Sequence, residues 1–346
     1  MKPFSFLLNL SILLFVVCSS ALSQEFQNPG SYMSYISKQH ETIAKRFLAY
    51  NSASSHGKKA KKVAELKAKL LDEIQESRMN IAGMPSFKND KAYRDSSVSF
   101  MKLYFNALND DYSKIVNMEE IAEQSYDLME AYLLAKEMVD KKMDDASTAL
   151  QQVGKKFAAD HNVNLVESQD EIGGMMKKVN ETGGYYNPVY LVFFKSFKQE
   201  AYLVEAIQKK NINGIEQNRN SLLQFSQEGL AKLGKIAAFH GDNTLITNCK
   251  RMLEFYVKEA TEKIPPISDY LLKQEAFDNL GKEFEKKTQP TQDEVNTFNK
   301  AVKEINNAVK AYNTNNNTLN QSRSDLLNNW NSAVGVFFDN HMPVYE

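Results

Sequence analysis

The stretch that decides the fold is LLDEIQESRMNIAGMPSFKND, residues 70–90, because a similar stretch follows 152 residues later. The second stretch is LLQFSQEGLAKLGKIAAFHGD, residues 222–242. Six positions are identical without a gap, and further matches lie on both sides of the stretch. A repeat of this length is the size of a domain rather than of a solenoid unit. Chance is the alternative, since two apolar helices joined by a Phe-x-x-Asp turn match at several positions anyway.

The composition is that of a globular protein with almost no net charge. The chain has 346 residues, of which 42% are hydrophobic and 25% are charged, and its formal net charge is −1. This balance argues against a general nucleic-acid surface or a surface for anionic membranes. The basic run of Lys58, Lys59, Lys61 and Lys62 opens a predicted helix, and we interpret it as a solvated helix face.

Residues 1–23 have the pattern of a signal peptide. Lys2 supplies positive charge, residues 4–17 form an apolar segment, and Ala21-Leu22-Ser23 place small residues before the predicted cleavage after Ser23. The apolar segment is too short to span a bilayer comfortably. We therefore predict export through the general secretory pathway, to the periplasm, the outer surface or the extracellular space, with no transmembrane segment in the mature chain.

The two cysteines have different interpretations. Cys18 raises the alternative of a lipoprotein, but Val16-Val17 stand where lipoprotein processing needs a small residue. Removal of the signal peptide leaves Cys249 as the single cysteine, so a disulfide within one chain is impossible. Cys249 lies on an apolar helical stripe, which indicates an inert buried thiol rather than a nucleophile.

Apolar residues recur at the helical period through the predicted mature chain. The clearest stripe consists of Leu128, Tyr132, Ala135, Val139, Met143, Ala146, Leu150, Val153 and Phe157. Capping signals precede several such stripes: Asn28-Pro29, Asp90, Asn117 with Glu120, and Thr291 with Glu294. No stretch alternates like a strand. We predict an all-α fold of two tandem related up-down bundles, about four helices each, with a C-terminal helical extension.

Glycine pairs suggest where the two halves join. Gly173-Gly174 and Gly183-Gly184 flank a short amphipathic segment, and Asn187-Pro188 resembles a helix start. We therefore predict an N-terminal bundle over residues 24–161, a glycine-containing connection over 162–186, and a C-terminal bundle with its extension over 187–346. Asn315-Asn316-Asn317 should interrupt or fray the last helix, because asparagine is a poor interior helix residue.

The sequence contains no recognisable catalytic, cofactor-binding or metal-binding constellation. None of the five histidines has a glutamate three residues before it, as a di-iron site requires, and His-Glu-x-x-His is missing. Phosphate-binding glycine loops and the Gly-x-Ser-x-Gly nucleophile motif are missing as well. We predict no enzyme activity, no cofactor and no metal site.

Three aromatic residues are candidates for ligand contact. Tyr185 and Tyr186 adjoin the glycine pairs and could stack on a sugar or a partner, while Trp330 lies at helical spacing with Leu326 and Phe337. Packing between helices is the alternative for all three. Asp90 and Asp242, which recur at matching turns, could bind a cation, but a helix-capping role explains them more simply.

Several segments resemble one family of proteins. Ile115-Val116-Asn117, residues 119–127, Met129-Glu130-Ala131-Tyr132 and Phe193-Phe194-Lys195 are similar to an uncharacterised family of exported bacterial surface proteins from spirochaetes and Bacteroidetes, of the Leptospira type. The resemblance extends over most of the mature chain. It implies export and residence in the envelope or on the surface, and it implies no catalytic residue.

Three functional hypotheses follow from these patterns. The first is a non-enzymatic envelope or surface protein that binds an unknown macromolecule or glycan through its helical surface. The second is a periplasmic binder of a small molecule or metal, with its site between the halves near Tyr185 and Tyr186. The third is a hydrolase of glycans or the cell wall, which would need a pair of carboxylates in a cleft.

Overall fold

The computed structural model describes residues 26–111, 125–165 and 171–345. Within these ranges the regular elements are helical and no strand is present, which confirms the all-α class. No helix in the described ranges is long and apolar enough to cross a membrane. The predicted signal peptide, Cys18 and the predicted capping pair of Asn117 and Glu120 lie outside the described residues.

Nine α-helices and two π-helical segments make up the described part of the chain. The helices are α1 (Pro29–Ser55), α2 (Ala60–Ala82), α3 (Ala92–Asn106), α4 (Tyr126–Asp160), α5 (Glu171–Gln208), α6 (Ile212–Leu233), α7 (Thr244–Lys258), α8 (Ile264–Glu285) and α9 (Gln292–His341). The π-helical segments Ala107–Asp111 and Glu259–Lys263 follow α3 and α7. The described residues divide between two compact units, one drawn from residues 1–182 with 341–346 and the other from residues 183–340.

In the first unit, consecutive helices from α1 to α4 pack against one another. The Asn28 side chain accepts hydrogen bonds from the amides of Gly30 and Ser31, so the predicted start of α1 is confirmed. The ring of Tyr32 on α1 lies 5.5 Å from the rings of both Phe87 and Phe157. An aromatic cluster therefore joins α1, the turn after α2 and the end of α4.

The second unit has a comparable aromatic cluster and buried aliphatic residues. The ring of Tyr185 on α5 lies 4.9 Å from Phe239 and 5.8 Å from Phe337. Leu222 on α6 and Leu253 on α7 are fully buried. The predicted capping box of α9 is confirmed, because the Glu294 carboxylate accepts from the Thr291 amide and the Thr291 hydroxyl accepts from the Glu294 amide.

The turn between the second and third helices has the same local structure in each unit. Phe87 and Asp90 exchange two backbone hydrogen bonds, and so do Phe239 and Asp242, 152 residues later. The Asp90 side chain accepts from the amide of Ala92 at 2.9 Å, which confirms its predicted capping role. The Asp242 side chain accepts from the amide of Thr244 at 2.7 Å, and its predicted capping role is confirmed in the same way.

Other boundaries also recur at this offset of 152. α2 and α6 begin at Ala60 and Ile212, and α3 and α7 each contain 15 residues before a π-helical segment of 5 residues. A tyrosine hydroxyl binds an equivalent carbonyl in each unit: Tyr32 donates to Pro85 at 3.1 Å, and Tyr185 donates to Ala237 at 3.0 Å.

The predicted interruption of helical structure near the glycine pairs is wrong. α5 begins at Glu171 and includes both glycine pairs, and Pro188 lies inside it rather than at a helix start. Buried side chains at Val179, Thr182, Val189 and Phe193 keep the helical spacing through this region. Their apolar stripe outweighs the helix-breaking tendency of glycine, which costs only about 1 kcal/mol relative to alanine.

The expected interruption at the asparagine run is also wrong. α9 is continuous from Gln292 to His341 and contains Asn315, Asn316 and Asn317. Buried Ile305 and Leu319 on either side of the run hold this part of α9 against the unit. Tertiary packing therefore overrides the low helix propensity of asparagine.

Candidate functional site

A shallow depression lies on the second unit beside the middle of α9. It has a volume of about 490 Å³. Its lining consists of Lys263, Asn307, Lys310, Ala311, Thr314, Asn315 and Thr318. Apart from Ala311, each of these side chains ends in an ammonium, an amide or a hydroxyl group. The depression can therefore offer two positive charges and the side-chain amide of Asn307 to a ligand. The hydroxyls of Thr314 and Thr318 already donate to backbone carbonyls of α9, so they can offer a ligand only their acceptor oxygens.

The positive charges of the depression are not neutralised by neighbours. Neither Lys263 nor Lys310 forms an ion pair with any residue that the structure describes. Lys310 is exposed and Lys263 is half-buried. An anionic group in the depression would meet two ammonium groups that are free of carboxylate competition.

The π-helical segment Glu259–Lys263 positions the floor of the depression. The Asn315 side-chain amide donates to the carbonyl of Lys263 at 2.9 Å, which ties α9 to the end of this segment. A π-helical turn inserts an extra residue into a helix and is frequently found at functional sites. The asparagine run that looked like a helix break is thus the part of α9 that anchors the depression.

A buried charged cluster lies at the other end of the same π-helical segment. Arg323 on α9 contacts the carboxylate of Glu200 on α5, with Nε and Oε1 separated by 2.6 Å. Its Nη2 donates to Oε1 of Glu259, the first residue of the segment. Glu259 is 0% exposed and Glu200 is 7% exposed. Sequence reasoning missed this cluster.

A sequence signal for the cluster does exist. Arg323 lies between Leu319 and Leu326 at helical spacing, so it occupies an apolar position of the α9 stripe. Glu259 comes three residues after Tyr256, again on an apolar face. A charged residue in such a position indicates a buried ion pair, but the stripe alone does not reveal which partner it meets.

The three predicted aromatic contact residues make packing contacts in the structure. Tyr186 packs against Tyr190 and Phe338, with ring centroids 5.4 Å and 4.9 Å apart. Trp330 is 2% exposed and stacks on Phe193 at 4.4 Å. Tyr185 contacts Phe337. All three aromatic residues therefore lie where α5 packs against α9. Ligand contact at Tyr185, Tyr186 and Trp330 stays a prediction.

The environment of Cys249 agrees with the expectation of an inert thiol. Cys249 is fully buried on α7, with Sγ 4.0 Å from the carbonyl oxygen of Val189. Burial raises the pKa of its thiol far above the usual range, so the reactive thiolate is disfavoured. In the described ranges, no three side chains of the metal-ligating types lie together.

Comparison with protein-family models, with curated proteins and with solved structures finds no significant match to this chain.

Proposed function

We propose that the protein is an exported, non-enzymatic binding module that takes an acidic glycan of the cell envelope in the depression on α9. The observation that carries this proposal is the pairing of two uncompensated lysines, Lys263 and Lys310, with amide and hydroxyl side chains. Ammonium groups suit the carboxylates or sulfates of such a glycan, and amides and hydroxyls suit its hydroxyl groups.

The shape of the depression supports an extended ligand. Sites for small molecules are usually concave, whereas this depression is shallow. Its surface combines apolar side-chain stems with polar end groups. A polymer that lies along α9 can contact Asn307, Lys310, Thr314 and Thr318 in succession, because these residues recur at steps of three and four along one helix face. Export rests on the signal-peptide pattern of residues 1–23.

We also propose that the two units arose from duplication of one helical module and therefore have related architectures. The recurrence of the turn, of the helix starts and of the π-helical segments at one offset supports duplication of a single helical module. The depression then belongs to the second copy. Its residues Asn307, Lys310 and Thr314 lie on α9, the longest described helix, with 50 residues.

Binding of an alginate oligosaccharide tests the proposed function. The purified protein should bind the carboxylated alginate chain at low salt and should not bind a dextran oligosaccharide of similar length, which is neutral. The variant Lys310→Glu should weaken binding of alginate roughly tenfold, since one attractive contact becomes repulsive and a factor of ten corresponds to about 1.4 kcal/mol. Calorimetry or biolayer interferometry would measure both affinities.

A second charge reversal is the matched control. Lys235→Glu makes the same change in net charge at an exposed lysine in the turn after α6, outside the depression. It should lower the affinity for alginate far less than Lys310→Glu does. Equal losses in the two variants would mean that alginate senses only overall charge, and failure of wild-type protein to bind alginate would reject the acidic-glycan assignment.

A further inference from the structure

The buried cluster of Arg323, Glu200 and Glu259 contains two carboxylates for one guanidinium group. Each carboxylate contacts Arg323, whose side chain is 15% exposed. Arg323 Nη1 also donates to the side-chain oxygen of Asn320 at 2.9 Å. If both glutamates were ionised, the cluster would carry one unneutralised negative charge within the interior of the second unit.

Two carboxylate oxygens in the cluster, Oε2 of Glu259 and Oε1 of Glu200, have no hydrogen-bond donor among the described residues. Oε2 of Glu259 is fully buried and has no hydrogen-bond partner, and the close contact between Arg323 Nε and Glu200 Oε1 lacks hydrogen-bond geometry. A buried carboxylate oxygen without a donor is costly while it is charged, and it ceases to be charged when it binds a proton.

We propose that Glu200, Glu259 and Arg323 form a proton-binding site in which the two carboxylates share a single proton, so that the second unit responds to pH near neutrality. The proton removes the excess negative charge and leaves one carboxylate to pair with Arg323. The site is independent of the glycan that we propose for the depression. Both carboxylates are too buried to act on a substrate, so the group that binds here is the proton itself.

The electrostatics of the cluster support proton binding. Burial raises the pKa of both carboxyl groups, and Arg323 opposes this effect without cancelling it. The negative charge of Glu200 adds to the effect at Glu259, whose pKa rises to about 7. Tyr256 on α7 also interacts with these charges, and Cys249 on the same helix interacts with Tyr256. Burial raises the pKa of both groups, so they stay neutral near pH 7.

The first unit shows that such a helical unit can hold apolar residues at the same positions. Residues 152 positions before Glu200 and Glu259 are Leu48 and Ala107, both buried. Between α4 and α9 the offset is 180, because Phe157 contacts Phe87 as Phe337 contacts Phe239. The residue equivalent to Arg323 is then Met143. The charged cluster is therefore a feature of the second unit alone among these equivalent positions.

The direction of the pH effect follows from the raised pKa values. Between the ordinary glutamate pKa of 4.5 and the value of about 7 in the folded protein, the folded state holds a proton that the unfolded state releases. The free energy of unfolding therefore falls as pH rises through this interval. Below it, both states are protonated at this site, and above it, both states are deprotonated and no further loss occurs.

A variant with one carboxylate removed tests the proton site. Glu200→Gln leaves one carboxylate and one guanidinium, which are neutral together without a proton. Between about pH 5 and about pH 8, the melting temperature of the wild type should fall by about 5 °C more than that of Glu200→Gln. The control Glu283→Gln removes an exposed carboxylate on α8 and should keep the wild-type pH dependence.

A second variant gives the cluster the residue types found at the equivalent positions of the first unit. Glu200→Leu combined with Glu259→Ala and Arg323→Met should likewise lose the extra pH dependence. If this triple variant does not fold, Glu200→Gln still decides the outcome. The proposal is wrong if the melting temperatures of the wild type and Glu200→Gln change equally over this pH range.

Infrared spectroscopy provides a direct readout of the proton. At about pH 6 the folded wild type should show the carbonyl stretch of a buried protonated carboxylic acid, and this band should disappear as the pH rises past about 7. Glu200→Gln should lack the band at both pH values. Its absence from the wild type at about pH 6 would overturn the proposal, even if the stability measurements agreed with it.

Discussion

In the first unit, Leu48 and Ala107 are 1% and 3% exposed, and both are apolar. The residues 152 positions later, Glu200 and Glu259, are as deeply buried but are acidic, and both contact Arg323. Replacement of buried ion pairs by well-packed apolar residues is often neutral or stabilising in proteins. Under the proposed duplication, a helical unit of this kind does not need these charges for its folding, which is why we propose that they bind a proton.

The depression differs between the units in the same way. Under the proposed duplication, with the offset of 180 between α4 and α9, the counterpart of Lys310 is Glu130, and those of Thr314 and Thr318 are Leu134 and Met138. These two apolar residues of the first unit are exposed. A polar, positively charged surface is thus found only on the α9 side of the comparison. Lys310→Glu, the variant that tests glycan binding, gives α9 the residue type that α4 has.

The largest expected effect comes from removing the only cation of the cluster. Arg323→Met places the α4 residue type in α9 while both buried carboxylates remain. Breaking a buried ion pair in this way costs about 3–5 kcal/mol. The loss of unfolding free energy, measured with urea, should be greater at about pH 8 than at about pH 5, because protonation at low pH neutralises the carboxylates that Arg323 leaves behind.

Restoring the apolar partners provides the control for this loss. If Glu200→Leu and Glu259→Ala are added to Arg323→Met, most of the lost stability should return, since no buried charge is then left without a partner. A loss that persisted in the triple variant would mean that the second unit has shaped its packing around the charged side chains, and the equivalence with Leu48, Ala107 and Met143 would fail.

The sequence predicted the fold class well because helical periodicity depends on local spacing. The stripe from Leu128 to Phe157 and the caps at Asn28 and Thr291 are readable without knowledge of their partners. The course of α5 through Gly183-Gly184 was not predicted, because the packing of Val189 and Phe193 against other helices outweighs a local helix-breaking signal.

The candidate site was harder to predict, because it depends on contacts between residues far apart in sequence. Arg323 meets Glu259 across 64 positions, and the Asn315 side chain meets the Lys263 carbonyl across 52. The sequence marks each residue as unusual for its helix: a charge on an apolar stripe, or an asparagine in a helix interior. The sequence does not reveal how α9 packs against the other helices. This packing decides which residues each side chain contacts.

An intermediate effect should distinguish the two tyrosine hydroxyls. Tyr32→Phe should cost about 1–2 kcal/mol, because Tyr32 is 1% exposed and its hydrogen bond to Pro85 is partly buried. Burial raises the pKa of Tyr32 to about 12, so this hydroxyl stays protonated and able to donate. Tyr185→Phe should cost less, below about 1 kcal/mol, because its bond to Ala237 is exposed.

Urea unfolding of the two phenylalanine variants measures this difference. Both substitutions keep the aromatic ring, so ring packing against Phe87 and against Phe239 is preserved and only the hydroxyl is removed. Equal losses would show that solvent reaches neither hydrogen bond, or reaches both, and the contrast in burial between Tyr32 and Tyr185 would carry no energetic consequence.

The smallest effects concern the recurring turns, and they separate capping from cation binding. Asp90→Ala and Asp242→Ala should each cost about 1 kcal/mol, because each removes the acceptor for a first amide of the following helix, at Ala92 or Thr244. Asparagine keeps an acceptor oxygen at this position without the charge, so Asp90→Asn and Asp242→Asn should cost only a few tenths of a kcal/mol. The contact of Asp90 with His161, at 3.2 Å, adds a small loss in the Asp90 variants. If asparagine were as damaging as alanine at both turns, and if calcium raised the melting temperature of the wild type but of neither asparagine variant, the carboxylates would be cation ligands rather than caps.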